Sequence, residues 1–153
     1  MGASGWSYVT EYEGDVEAAL GALHAREFQE EYGGEFASLE DLRQDEYLAT
    51  EGTHSILDIY AVVATDKPPV ATCLDDHGTL RPLALDRVVH HFGTERPTVE
   101  RFRELIDAAN EMNHEEFQRS LPNECRMRWT AYHVTLYSED RPTHLGIFGY
   151  SGD

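Results

Sequence analysis

Apolar and polar residues alternate in four stretches of the chain, a period of two that is typical of β-strands with one buried face. The stretches cover residues 6–12, 55–63, 129–138 and 143–150. The last two flank the turn-forming residues 139–142, so they are predicted to form a hairpin. Residues 66–81, rich in proline, aspartate and glycine, are predicted to be a loop that holds at most a short strand at 70–74.

Five other stretches are predicted to be helices, and they cover residues 15–32, 38–48, 82–92, 98–112 and 113–120. The first, third and fourth carry apolar residues at the spacing of an amphipathic helix, i, i+3, i+4 and i+7, and the other two are predicted from their capping residues. Most of them begin at a short polar residue that can cap the first turn, namely Asp15, Ser38, Thr98 and Asn113. Glycines follow three of them and indicate where these helices end, at Gly33, Gly52 and Gly93.

Strands and helices are grouped separately along the chain, which favours an α+β fold over a doubly wound parallel one. We therefore predict a mostly antiparallel sheet of about four or five strands with the helices packed on one face. The length of 153 residues suits a single domain over residues 1–153 that buries its own core.

If the helices cover one face of this sheet, the other face is predicted to expose rings, imidazoles and a carboxylate. The alternation places there Trp6, Tyr8, Tyr12, His54, Ile56, Asp58, Tyr60, His133, Thr135, Tyr137, His144, Phe148 and Tyr150. Such a face suits a protein partner or a planar ligand. The alternative is that these residues form ordinary cross-strand pairs half covered by loops. A slip of one residue in the register would dissolve the pattern.

The charge is strongly negative and uneven. Twelve basic residues stand against 29 acidic ones, a net charge of −17, and residues 11–51 hold thirteen acidic residues against Arg26 and Arg43. Nucleic acids and anionic membranes require basic surfaces, so both partners are disfavoured. The acidic third of the chain, including Glu27, Glu30 and Glu31, predicts a basic partner protein. The alternative is that the charge only keeps the protein soluble.

The chain shows no targeting or membrane segment. Its longest stretch without a charged residue, 142–152, is shorter than a membrane-spanning helix, and its first six residues lack a basic and apolar leader. A cytoplasmic location is therefore expected. Cys73 and Cys125 form no Cys-x-x-Cys motif, and in that compartment they are expected to be inert thiols.

One segment holds the residue types of a hydrolytic triad: His54, Ser55 and, three residues on, Asp58. No Gly-x-Ser-x-Gly elbow is present, so Thr53 and Ser55 are better explained as hydrogen-bonding residues at the start of a strand. His54 next to Asp58 could still act as a general base.

No metal or cofactor is predicted. The two candidate groups, around His90 and His91 with Asp86 and around Cys73 with Asp75, Asp76 and His77, lack the spacing of a metal site. Neither of the usual glycine-rich nucleotide loops occurs. A positive spot formed by Arg119, Arg126 and Arg128 near Trp129 could bind a carboxylate or phosphate, or could pair with the chain's own acids.

Four segments together resemble a family of small, functionally uncharacterised bacterial proteins of the actinobacterial type. The segments are residues 5–8, 52–58, 92–98 and 149–153. The resemblance implies a compact single-domain bacterial protein and assigns no catalytic residue.

Three functional hypotheses follow. The first is an acidic, immunity- or antitoxin-like module that binds a basic protein, with contact residues Trp6, Tyr8, Tyr12, Glu27, Glu30, Glu31, Tyr60 and Tyr137. The second is a small enzyme or ligand-binding domain whose pocket uses His54, Asp58, His133 and Tyr150. The third is a homodimer that closes on the aromatic face.

Overall fold

A computed structural model describes residues 4–152 and shows an α+β fold built on a five-stranded sheet. The strands are β1 (Ser4–Glu11), β2 (Ala61–Val62), β3 (Thr79–Pro82), β4 (Thr130–Ser138) and β5 (Arg141–Ser151). The helices are α1 (Val16–Tyr32), α2 (Leu39–Arg43), α3 (Glu46–Glu51), α4 (Leu85–Phe92), α5 (Val99–Asn110) and α6 (His114–Phe117). Within residues 4–152, no helix has the length and apolar character needed to cross a bilayer.

The sheet is mixed, so the prediction of a mostly antiparallel sheet is wrong. Its order is β1-β5-β4-β3-β2, in which β5 runs antiparallel to both neighbours while β3 runs parallel to β4 and β2. The parallel part arises because α4 and α5 lie between β3 and β4 and carry the chain back to the same end of the sheet. The pattern of apolar residues did not identify β3, because this strand has only four residues and one of them is a fully buried arginine.

The strand predicted at 55–63 is mostly a turn. Residues Ile56–Asp58 form a 3₁₀ turn that Ser55 caps by accepting a hydrogen bond from the Leu57 amide at 3.2 Å, and only Ala61–Val62 pair as a strand. Ile56, Leu57 and Ile59 are all buried, so both sides of this segment face the protein interior. A short apolar run of this kind does not reveal its backbone conformation.

The predicted helix caps are confirmed. The side chains of Asp15, Ser38, Thr98 and Asn113 each accept a hydrogen bond from the first turn, and Asn113 forms a reciprocal capping box with Glu116. The stretch predicted as one helix over 38–48 is two helices. Asp45 interrupts it by accepting from the Leu48 amide at 3.1 Å, which starts α3.

Helices cover both faces of the sheet, so the prediction of helices on one face is also wrong. On one face α1 packs through Ala19, Leu20 and Leu23 against residues that include Leu145 and Ile147. On the other face α4 and α5 pack against a cluster that includes Tyr132, Val134 and Phe148. Each face of the sheet therefore has its own core, and no open aromatic face exists in the described chain.

The register of the hairpin explains the error in the predicted faces. Glu139 and Asp140 form a two-residue turn with positive φ, but a bulge between Leu136 and Tyr137 shifts β5 by one residue. As a result, Tyr132 lies opposite Phe148, and their stacked rings are 5.9 Å apart. His144, Phe148 and Tyr150 therefore lie on the opposite face from His133, Thr135 and Tyr137, contrary to the prediction.

Candidate functional site

Asp58 is the centre of a hydrogen-bond network that joins the 53–58 segment to the end of β5. Its Oδ1 accepts from the amide and hydroxyl of Thr53 at 2.7 and 2.9 Å, and its Oδ2 accepts from the His54 amide at 3.0 Å and from the Ser151 hydroxyl. Ser151 in turn accepts from the indole N–H of Trp6 at 3.0 Å. Both oxygens of the Asp58 carboxylate are thus occupied by structural hydrogen bonds. This agrees with the interpretation of Thr53 and Ser55 as hydrogen-bonding residues rather than as parts of a hydrolytic triad.

The structure does not bring the four predicted pocket residues together. The His54 side chain is exposed beside the Asp58 network, whereas His133 is buried in the middle of β4. Tyr150 pairs with Thr130 and packs with the α4–α5 cluster, so by the alternation of β4 it lies on the opposite face from His133. The predicted His/Asp/Tyr pocket therefore does not form.

His133 lines a small cavity of about 140 Å³, together with neighbouring residues of β4, apolar residues at the end of β3 and of α4, and Glu95. It is 8% exposed, and its Nδ1 has no hydrogen-bond partner among residues 4–152. Burial lowers the pKa of His133 to about 4. This is the environment of a neutral core histidine rather than of a general base that works near neutral pH.

The buried His133 predicts a pH-dependent stability. Its pKa is near 6.5 in the unfolded chain and about 4 in the folded one, so between these values only the unfolded state binds the proton. Stability is therefore expected to fall as the pH falls, by about 2 kcal/mol between about pH 7 and pH 5 through this residue alone. Urea unfolding at both pH values should show this loss in the wild type and a smaller one in His133→Gln. An exposed control, His90→Gln, should keep the wild-type pH dependence, and a His133→Gln variant that keeps it too would contradict the assignment.

The predicted aromatic contact residues are mostly part of the core around α1. The rings of Trp6 and Tyr8 are 5.7 Å apart, and both pack with Tyr12 against the α1 cluster. Burial raises the pKa of Tyr8, and the neighbouring Glu27 and Glu31 raise it further. Tyr137 is half-buried, and only Tyr60, which is 61% exposed, remains available on the surface.

Residues 17–46, which span α1, α2, their connection and the start of α3, carry seven exposed carboxylates, named here the acidic face. Its members are Glu17, Glu30, Glu31, Glu35, Glu40, Asp41 and Glu46, with Glu27 half-buried at its inner side. Two contacts hold the helices next to each other, because His24 of α1 bonds the Ile56 carbonyl at 3.1 Å and Arg43 of α2 bonds that of Leu57 at 3.4 Å. α1 and α2 thus contact the same short segment, and both carry members of the acidic face.

Like charges are crowded on this face. Partial burial raises the pKa of Glu27, and the neighbouring Glu30 and Glu31 raise it further, against the opposing effect of Arg26 at 3.7 Å. The exposed members of the acidic face have no basic partner among residues 4–152. The repulsion that Glu27 experiences from Glu30 and Glu31 is left for solvent or another molecule to relieve.

A cleft of about 820 Å³ lies on the opposite side of the sheet from α1, above β3 and β4. Its walls come from residues 66–77, from the start of α4 and from residues 124–129, and Tyr132 lies at its base. The sequence analysis identified part of one wall, as the positive spot with Arg126 and Arg128 near Trp129. It did not predict that the 66–77 loop and the start of α4 complete a cavity there.

One wall of the cleft contains an ion-pair network in which both oxygens of Glu124 have partners. Arg87 donates from Nε and Nη2 to the two oxygens of Glu124 at 3.0 and 2.8 Å, and His91 Nε2 lies 3.0 Å from Glu124 Oε2. Burial alone would raise the pKa of Glu124, but the hydrogen bonds from Arg87 and His91 outweigh it and lower the pKa. Arg126 and Arg128 are exposed, and neither pairs with a carboxylate among residues 4–152.

The metal-ligating side chains and the two cysteines complete the set of chemical candidates. Among residues 4–152, no three histidine, cysteine or carboxylate side chains come together as metal ligands would. Both cysteines are free. Cys125 is buried, and burial raises its thiol pKa to about 11, so it is unreactive near neutral pH, while Cys73 is exposed.

Comparisons of the chain with protein-family models, curated proteins and solved structures find no match. The resemblance to small actinobacterial-type proteins therefore stays a prediction. Function has to be argued from the acidic face and the cleft.

Proposed function

We propose that this protein is a binding module for a basic partner protein, of the kind that immunity and antitoxin proteins represent, and that the partner binds the acidic face. The observation that carries the proposal is the crowding of exposed carboxylates on α1–α3 without basic partners among residues 4–152. Lysine and arginine side chains of a partner would relieve this repulsion. They would also be attracted over distance, which speeds association.

An exposed tyrosine beside the acidic face supplies the second part of the argument. Tyr47 of α3 is 70% exposed and follows Glu46, a member of the acidic face, whereas the exposed ring of Tyr60 lies over Gly78. Tyrosine is enriched in the centres of protein interfaces because it buries a large ring while its hydroxyl keeps a hydrogen bond. An exposed tyrosine among carboxylates suits a surface that binds a basic protein.

Reversing charges on the acidic face is expected to abolish partner binding. The test variant carries Glu30→Lys, Glu31→Lys and Glu35→Lys, which are all exposed, and leaves the half-buried Glu27 intact so that packing is preserved. The wild type should retain a basic protein from lysate of the producing cells at low salt and release it at high salt. With the partner purified, the variant should associate at least about tenfold more slowly in surface plasmon resonance.

A matched control separates a local effect from net charge. Glu100→Lys, Asp107→Lys and Glu111→Lys change the net charge by the same amount at exposed positions on or next to α5, which packs on the other face of the sheet. This control should bind the partner almost as the wild type does. Equal loss in both variants, or a partner that binds the acidic-face variant normally, would refute the proposal.

A further inference from the structure

The geometry points to a small-molecule site in the cleft, and its ligand is an organic anion with a planar ring that lies against Trp129 and a carboxylate that binds Arg126 and Arg128. The inference does not rest on the proposed partner, because none of the residues that line the cleft is a member of the acidic face. The volume of about 820 Å³ is within the usual range of ligand pockets.

Trp129 is fixed in an unusual position. Its φ is +64°, a left-handed conformation that is unfavourable for a non-glycine residue. Its amide donates to the Tyr150 carbonyl at 2.8 Å, and its carbonyl accepts from the Gly78 amide at 2.6 Å. These bonds hold the strained backbone in place and direct the indole to the wall of the cleft.

Two glycines allow the indole to lie there. A Cβ at Gly52 would be 2.5 Å from the Cζ3 atom of Trp129, and one at Gly152 would be 2.5 Å from its Nε1 atom. The ring thus packs directly against the backbone at both glycines and cannot rotate freely. A strained backbone and close glycine contacts that fix one half-buried ring at a cavity are typical of a binding surface rather than of a core residue.

The loop on the other side of the cleft is also held in place. The fully buried Arg81 donates to the Lys67 carbonyl at 2.7 Å and lies 3.3 Å from Asp76 Oδ1. The Asp76 carboxylate also accepts from the Val70 amide at 2.7 Å. A cleft whose walls are ordered before the ligand arrives loses less entropy on binding.

The charges of the cleft favour an anion near Trp129. Glu124 is paired with Arg87 and His91, and the other two carboxylates of the lining, Asp66 and Asp86, belong to the loop wall and to the α4 wall. The exposed Arg126 and Arg128 lie on the wall with Trp129 and have no acidic partner within residues 4–152. Both lie within three residues of Trp129 and line the same cleft, so guanidinium groups and an indole belong to one wall. Arginine matches a carboxylate through two parallel hydrogen bonds, and a planar ring stacks on an indole.

Three probes with one ring and different charges test the inference. 1-Naphthaleneacetate is expected to bind with a millimolar or lower Kd in calorimetric titrations. Its neutral amide should bind at least about tenfold more weakly, and 1-naphthylmethylamine more weakly still. In ¹⁵N NMR spectra, the indole N–H resonance of Trp129 should shift on titration with the acid. Equal affinity for acid and amide, tightest binding of the amine, or no saturable binding by any probe would overturn the inference.

Variants then assign the binding to the two arginines. The double variant Arg126→Gln with Arg128→Gln should bind 1-naphthaleneacetate at least tenfold more weakly, and its weak binding of the amide should be unchanged. Arg103→Gln with Arg141→Gln removes the same charge at exposed positions outside the cleft and should bind as the wild type does. Equal weakening in both double variants would show a general charge effect and refute the site. Partner binding through the acidic face is measured separately, so failure of one proposal leaves the other standing.

Discussion

Replacing Asp58 with alanine is expected to lower the free energy of unfolding by about 3 kcal/mol, because it removes a charged acceptor that serves several donors at once. The carboxylate receives hydrogen bonds from the amide and hydroxyl of Thr53, from the His54 amide and from the buried Ser151 hydroxyl. Some of these donors would regain water, which keeps the loss below the sum of the individual bonds. Urea denaturation at neutral pH measures the change.

Two further variants make the Asp58 prediction specific. Asp75→Ala removes an exposed carboxylate and should change stability by less than about 0.5 kcal/mol. Ser151→Ala removes one of the Asp58 donors, so its effect should be strongly non-additive with that of Asp58→Ala. An Asp58→Ala variant as stable as the wild type would show that the network does not hold the fold, and would reopen the general-base hypothesis for this segment.

Replacing Phe102 with alanine is expected to cost about 4 kcal/mol, the largest single effect on this fold. Phe102 is 1% exposed, and its ring joins α5 to the Tyr132–Phe148 pair of the sheet. The ring also lies directly over Gly146 of β5, where a Cβ would be 2.6 Å from the Phe102 Cε1 atom. The alanine variant leaves a cavity that the rigid strands cannot close.

The contact with Gly146 provides an independent check of the Phe102 prediction. Gly146→Ala should destabilise the wild type by about 1–3 kcal/mol through overlap with the ring. The same change in the Phe102→Ala background should cost much less, because its Cβ then enters the cavity. Arg103→Ala, on the exposed side of the same helix, should stay within about 0.5 kcal/mol of the wild type. Additive costs of Gly146→Ala and Phe102→Ala would contradict the described packing.

The sequence predicts the features of this fold that depend on neighbouring residues. The caps at Thr98 and Asn113 define where α5 and α6 begin, and the alternation from Trp129 to Ser138 defines β4. It does not predict features that depend on distant contacts. β3 is short and carries a buried Arg81 whose hydrogen-bond partners include the carbonyl of Lys67, fourteen residues away, so no local pattern identifies it as a strand.

The candidate site follows the same rule. The sequence indicates the acidic surface, because charge density needs no tertiary contact, and it indicates the basic spot near Trp129. The cleft itself depends on a loop, a helix start and a strand that only the tertiary structure brings together. The predicted aromatic face does not form because the register is shifted by one residue. The bulge between Leu136 and Tyr137 exchanges the two faces of β5 relative to β4.

The position of β1 at the edge of the sheet has a consequence for how the chain acquires its structure. β1 pairs only with β5, so the contact between Ser4 and Ser151 closes a loop of almost the entire described chain. Such non-local pairing raises the contact order, and folding is expected to be slow for a chain of this size. On the ribosome, β1 and the apolar side of α1 must wait for residues 141–151 to emerge, and during synthesis this segment is where a chaperone is expected to bind.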